Sequence, residues 1–199
     1  CVLVAVGHPE ANTLFSCHVD TVHSFSESNT GYQQGLFYDP GLEQIFVADK
    51  AKSSCLGADD GAGVYVLLKL IEAKVDGSYL FHTGEEKGGI GSNAILAARP
   101  TWLEKFDRAI AFDRAGNDEV IATQGGRLCA SVASAKELAD RLTALGLPHK
   151  VSHNGSFTDT KVYSSVIPEC FNVSVGYMFQ HTSDEYLDVP HLEALVAAA

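Results

Sequence analysis

The chain has 199 residues, enough for one well-packed domain and short for two, and it carries a formal net charge of −11. That balance argues against nucleic acid and anionic membrane as partners, because both need a basic face that releases counterions. A hydrophobic fraction of 46% with 20% charged residues is that of an ordinary soluble globular protein, and no apolar run approaches membrane-spanning length. In chain order, short apolar and β-branched runs predict strands over 1–6, 13–22, 44–48, 78–83, 109–113, 120–123 and 170–179. The stretch 32–41, with Gly and Pro and few core residues, reads as a loop or hairpin. Val64, Leu67, Leu68 and Ile71 recur at helical spacing after Asp60, and Leu138, Leu142 and Leu145 do so within 136–146. Pro190 is placed like a first-turn proline and predicts a terminal helix over 191–199.

Strands alternating with helices call for a three-layer αβα sandwich with a mainly parallel, mixed central sheet. The expectation is one domain over 1–199. Cys1, Cys17, Cys55, Cys129 and Cys170 are odd in number and lack C-x-x-C spacing, which suggests neither a disulfide framework nor a cysteine zinc site. A reducing cytoplasm is the simplest home for such a chain. Its opening residues read as a strand, with no Met and no signal-like segment, which leaves open what precedes Cys1.

Five acidic or imidazole clusters stand where apolar runs stop and loops begin, the place where an α/β fold displays chemistry. They are His18-Val19-Asp20, Gly57-Ala58-Asp59-Asp60-Gly61, Gly84-Glu85-Glu86, Phe112-Asp113 and Gln180-His181-Thr182. In an extended strand His18 and Asp20 share a face, so Asp20 is placed to receive the second ring N–H of a metal-ligating His18. A strand-end His with a nearby acid is the plainer reading. Helix capping accounts for one of the Asp59–Asp60 pair, and for Asp60 better than Asp59. A dinucleotide loop at Gly57, Gly61 and Gly63 is rejected, because two carboxylates there would repel a pyrophosphate. Glu85 and Glu86 follow a strand and open a glycine-rich turn, so one could bind metal while the other handles protons.

Together the five motifs resemble those of the co-catalytic dizinc peptidases, the M20, M28 and M42 groups of aminopeptidases, carboxypeptidases and N-acyl amino acid deacylases. The resemblance runs from about Thr13 to about Asp188. It implies the zinc-dependent exopeptidase fold and two zinc ions, with manganese or cobalt as substitutes. By the same resemblance His18 and Asp113 hold one ion, Glu86 and His181 the other, and Asp59 bridges them, while Asp20 orients His18. Glu85 would be the general base that activates a metal-bridging water. M20 enzymes usually insert a lid or dimerisation domain of about a hundred residues before the last motif. The segment between Asp113 and His181 is too short for one, so the chain looks nearest to a lidless M28 aminopeptidase, with its oligomeric state open.

In 155–159, Asp159 resembles a residue of the segment lining the substrate site, against the plainer reading of a turn in which Thr158 caps a helix. Arg114 and Arg127 could clamp a substrate carboxylate. Three functions follow: an aminopeptidase on short peptides, an N-acyl amino acid deacylase or dipeptidase of the same clan, and a metal-binding interaction module without turnover. An intact Glu85 argues against the last.

Overall fold

The computed structural model describes residues 1–23 and 34–199. Its centre is a seven-stranded sheet in the order β1-β5-β2-β6-β11-β7-β10, built from β1 (Val2–Val6), β2 (Thr13–His18), β5 (Gly77–His82), β6 (Arg108–Arg114), β7 (Glu119–Ile121), β10 (Lys150–Ser152) and β11 (Glu169–Ser174). The pairs β5/β2, β2/β6, β6/β11 and β7/β10 are parallel, while β1 joins β5 and β7 joins β11 antiparallel. The expected mainly parallel, mixed sheet is what the chain forms.

Strand alternation assigns the two faces. Phe15 of β2 points to one side, where it stacks on Tyr79 at 5.0 Å and meets Phe112 at 6.4 Å, and where α1 (Ala58–Glu72), α4 (Val132–Ala144) and α6 (Val189–Ala198) pack. Leu14, its neighbour, points to the other side with Leu80, Ala109 and Cys170, beneath α2 (Ile90–Ala98), α3 (Pro100–Leu103) and α5 (Asp159–Tyr163). Both faces are covered, which is why these strands read as continuous apolar runs. Each of α4 and α6 starts on a side-chain cap: Ser131 Oγ accepts from the Ser134 amide, and Asp188 from the His191 amide at 3.0 Å with Pro190 in the first turn.

A smaller antiparallel sheet, β12-β13-β4-β3, consists of β3 (Leu36–Asp39), β4 (Gln44–Val47), β12 (Tyr177–Met178) and β13 (Tyr186–Asp188). The hairpin expected over 32–41 is β3 with its turn into β4; residues 32 and 33 lie outside the described residues. A short pair, β8 (Thr123–Gln124) and β9 (Arg127–Leu128), completes the strands among the described residues.

Three boundaries differ from expectation. The strand over 13–22 ends at His18, beyond which Val19 is 54% exposed and its amide makes a single return bond to His82 O. The run 170–179 is divided by Gly176 at φ 98°, so that β11 stays in the large sheet and β12 enters the small one. The run 120–123 likewise divides between β7 and β8. Among the described residues no helix is long and apolar enough to cross a membrane, and all five cysteines are unpaired.

Candidate active site

The site gathers at the C-terminal ends of β2, β5 and β6. His18, the last residue of β2, is 1% exposed. Its Nδ1 lies 2.8 Å from the backbone carbonyl of Asp20, and its Nε2 lies 3.0 Å from Asp59 Oδ1 and 3.4 Å from Asp113 Oδ1. Contrary to the strand-face expectation, the Asp20 carboxylate does not receive the ring N–H. Because the strand ends at His18, Asp20 turns away, leaving Oδ1 3.8 Å from the ring. That carboxylate instead accepts the amides of Gly84 at 2.7 Å and of Glu85 and Glu86 at 3.3 Å each. Asp20 orients His18 through its carbonyl and fixes the glutamate turn through its side chain.

The two aspartates at the head of α1 divide their work. The Asp59–Asp60 peptide is cis, and both residues depart from helical geometry. Asp60, buried, accepts the His18 amide at 3.1 Å and the Gly63 amide at 3.0 Å, which is the capping role the sequence suggested. Gly63 is required here because a Cβ would overlap the Phe112 carbonyl oxygen and the Asp60 carboxylate. Asp59 faces the site, and its two oxygens serve two rings: Oδ1 meets His18, and Oδ2 lies 3.1 Å from His181 Nε2.

Glu86 Oε1 lies 2.6 Å from the same His181 nitrogen. His181 occupies the left-handed region at φ 64°, uncommon for a residue other than glycine, in the segment between β12 and β13. Asp113, on β6, accepts from Thr158 Oγ1 at 2.5 Å and from the Tyr177 hydroxyl at 3.2 Å. Its backbone is clasped from both sides by the Asn172 amide, which receives the Asp113 N–H at 3.0 Å and donates to its carbonyl at 2.9 Å. Glu85 is the exception. It lines the same cavity, but its carboxylate has no hydrogen bond or ion pair among the described residues. Burial, reinforced by the charge of Asp113, pushes it up to about 8.

These groups fit divalent metal. Imidazole and carboxylate atoms of His18, Asp59 and Glu86, and of His18, Asp60 and Asp113, converge to within 4.8 Å. Two ligands about 2.0–2.1 Å from one tetrahedral ion stand roughly 3.4 Å apart, close to the 3.0 and 3.4 Å seen around His18 Nε2, while at His181 Nε2 Asp59 stands at 3.1 Å and Glu86 closer, at 2.6 Å. Burial alone would lower the His18 imidazole, yet hydrogen bonds to Asp113 and Asp59 outweigh it and hold the ring protonated far above its ordinary range. Such a cluster calls for positive charge that no Lys or Arg in contact with it provides. Asp60 belongs to the converging atoms, but both its oxygens are taken by backbone amides, so Asp59 is the better ligand.

Residues 2–165 match the sequence profile of peptidase family M28. The chain belongs to peptidase family M28. No curated protein sequence matches it. Among solved structures, this M28 chain resembles a tripeptidase from Staphylococcus aureus (TM-score 0.71, 14% identity, 98% of this chain and 81% of that one). It also resembles the aminopeptidase PepT from Bacillus cereus (0.69, 14%, 98% and 82%) and the TET1 peptidase of Pyrococcus horikoshii (0.68, 16%, 98% and 84%). At these identities the likeness carries the fold. Family M28 peptidases are metal-dependent, in keeping with the convergence of ligand atoms seen here.

The M28 cavity measures about 320 Å³ and is lined by Asp59, Glu85, Glu86, Asp113 and His181 on its acidic side. Of the residues expected to touch substrate, Arg114 lines it, but Asp159 does not. Asp159 is 1% exposed, in the first turn of α5, with Oδ2 3.4 Å from His82 Nδ1; burial pushes it up to about 6. The α5 turn directs its carboxylate into the core behind the site, away from the cavity. Arg127 is exposed on β9 and donates to Ser164 O, also outside the lining. Thr158 precedes α5 as expected, but its hydroxyl makes no cap and goes to Asp113.

One contributor was not foreseen. Glu185, 1% exposed, accepts the amides of Leu56 at 2.7 Å, Gly57 at 2.9 Å and Asp59 at 3.0 Å, and so fixes the loop that presents Asp59. Its signal was an acid shortly after the last His motif. Tyr177, four residues before His181, is buried, donates to Asp113 and lines the cavity.

Proposed function

We propose that this M28 peptidase is a dizinc aminopeptidase on short peptides, acting as one catalytic domain whose segment between Asp113 and His181 contributes to the same sheets. His18 and Asp113 would hold one ion, Glu86 and His181 the other, and Asp59 both. The observation that carries the reading is Asp59 between two imidazoles, one at each oxygen, with Glu85 uncommitted beside it. Two imidazoles and three carboxylates suit zinc, with manganese or cobalt as substitutes. Ions bound there supply Lewis-acid polarisation of the scissile carbonyl and charge for its developing oxyanion.

The chain's own residues do the rest. Glu85 takes the proton of the attacking water on a carboxylate oxygen and returns it to the nitrogen of the leaving amine. A carboxyl raised by burial is matched to that two-way transfer near neutral pH. Asp20 holds Glu85 and Glu86 in register through their amides, and Thr158 and Tyr177 fix the orientation of Asp113. We favour aminopeptidase over carboxypeptidase action. The names aminopeptidase and tripeptidase borne by proteins of like fold point the same way.

The test is metal analysis of wild type and Asp59→Ala, paired with hydrolysis of aminoacyl amides and N-acyl amino acids before and after chelation. About two ions per chain, depleted in the variant, with chelator-sensitive release of N-terminal residues, is the expected result. Preference for N-acyl substrates would favour a deacylase, and metal without turnover would favour the interaction module.

A further inference from the structure

The cavity that gathers four carboxylates also holds one cation. Arg114 ends β6 and is the lone Lys or Arg among the described residues lining it. Its Nε and Nη2 both donate to Glu119 Oε2, at 3.0 and 2.7 Å. A guanidinium carries five N–H donors, and the others have no hydrogen-bond partner among the described residues. Glu119 opens β7, two places from β6 across β11, whereas β2 and β5, which carry His18 and lead to Glu85, lie on the opposite side of β6. Glu85 and Glu86, which follow β5, and the guanidinium held toward β7 therefore lie on opposite sides of β6, whose Asp113 stands between them. Within the same wall Gln124 Oε1 is buried without a partner.

We propose that Arg114 is a specificity residue that binds the C-terminal carboxylate of the substrate and makes this enzyme a dipeptidase. The inference rests on the aminopeptidase reading above and names its substrate class. An extended residue spans about 3.3–3.6 Å, so a dipeptide reaches roughly 7 Å from amine to carboxylate. β7, which anchors the guanidinium through Glu119, lies two strand spacings of about 4.8 Å from β6, and Arg114 reaches toward it from β6, so the guanidinium stands within that span. A cavity of about 320 Å³ lies at the small end of ligand sites, which run from about 300 to 1,000 Å³. Glu85, which neither ion would take as a ligand, repels a substrate carboxylate unless a fixed cation receives it. Arg114 is that cation, its fork matching a carboxylate and already ordered by Glu119, so little side-chain entropy is lost on binding. The unpartnered Gln124 Oε1 accepts a substrate amide N–H.

The experiment compares kcat/KM of the metal-loaded enzyme for a dipeptide, its C-terminal amide and a tetrapeptide with the same first two residues. The variants are Arg114→Met, Arg114→Lys and Glu119→Gln, each checked for native circular dichroism. Wild type should favour the free dipeptide over the amide roughly 10- to 100-fold, the worth of one charge-assisted hydrogen bond. Arg114→Met should bring that ratio near one, Arg114→Lys should keep part of it, and Glu119→Gln, which leaves the charge uncompensated, should raise it. Calorimetry on metal-loaded Glu85→Gln should show the free dipeptide binding more tightly than the amide, a difference lost in Glu85→Gln/Arg114→Met. A wild-type ratio near one, or an Arg114→Met variant that slows both substrates in proportion, overturns the proposal. If wild type cleaves none of the three, the aminopeptidase reading fails, and the calorimetric difference still decides whether Arg114 reads the carboxylate.

Discussion

At the scale of single residues, the site separates groups that hold from a group that acts. Asp59, Glu86 and Asp113 are each engaged by imidazole, hydroxyl or both, whereas the carboxylate of Glu85 is committed to nothing. Replacing Glu85 by Gln keeps shape and anchoring amides while removing the proton carrier. Turnover should fall by about 10²–10⁴, the usual worth of general acid–base catalysis, with metal content unchanged by elemental analysis. A metal-loaded Glu85→Gln enzyme near wild-type activity would exclude Glu85 as the base. Asp113 offers a graded counterpart. Thr158→Val removes one of its two hydroxyl donors, so activity should drop less than for Glu85→Gln, and metal affinity should weaken about 10- to 100-fold, as for other outer-sphere partners.

At the scale of elements, what presents the ligands is a set of turns at strand ends, each tied by an acid that accepts several backbone amides. Asp20 ties the turn after β5, and Glu185 ties the loop before α1. Glu185→Gln leaves one amide oxygen where a carboxylate took three N–H groups. The expected cost is about 1–3 kcal/mol in denaturant unfolding, together with weaker metal retention under chelator challenge; an unchanged midpoint and unchanged retention would refute the tie. Gly63→Ala tests the close approach of α1 to β6, and overlap with Phe112 O and Asp60 should cost about 1–3 kcal/mol in the same measurement. Legibility in the sequence followed the same division. The inner strands of the large sheet showed as apolar runs because both their faces are buried, whereas the short edge strand β10 was missed, and α1, α4 and α6 showed through periodic leucines or a first-turn proline. The helix α2 was missed because Gly91 and Ser92 supply its buried positions in place of large apolar residues. His18, Asp59, Glu86, Asp113 and His181 were readable as chemistry because each ends an apolar run or opens a glycine turn. The ties were not, because an acid bonded to a distant loop, such as Glu185 to Leu56, has no local pattern. The Asp20 misreading has the same source: period-two geometry was extended two residues past the real end of β2.

At the scale of the whole molecule, charge and fold are set against each other unless a cation intervenes. Several acids are packed where burial raises them: Glu85 to about 8, Asp159 to about 6, and Asp60 and Asp113 upward as well. A carboxyl raised on folding adds stability that is present below its unfolded value and lost as pH climbs through its folded value. His18, raised by its two aspartates, has the same sign above its ordinary value of 6.5. His82, lowered to about 4 chiefly by burial, acts oppositely, but only below 6.5, where the unfolded ring binds the extra proton. From pH 6.5 to about 8, Glu85 and His18 therefore act together, with Asp60 raised in the same direction. In that window the chelated protein should lose thermal stability steadily as pH rises, read by calorimetry. With metal restored, positive charge resides in the cluster without protons, and ligand deprotonation favours binding, so the midpoint should hold level or rise over the same range. A chelated protein whose midpoint is flat from pH 6.5 to 9 would show that the cluster stores no such tension, and with it the electrostatic case for a cation at Asp59 would be lost.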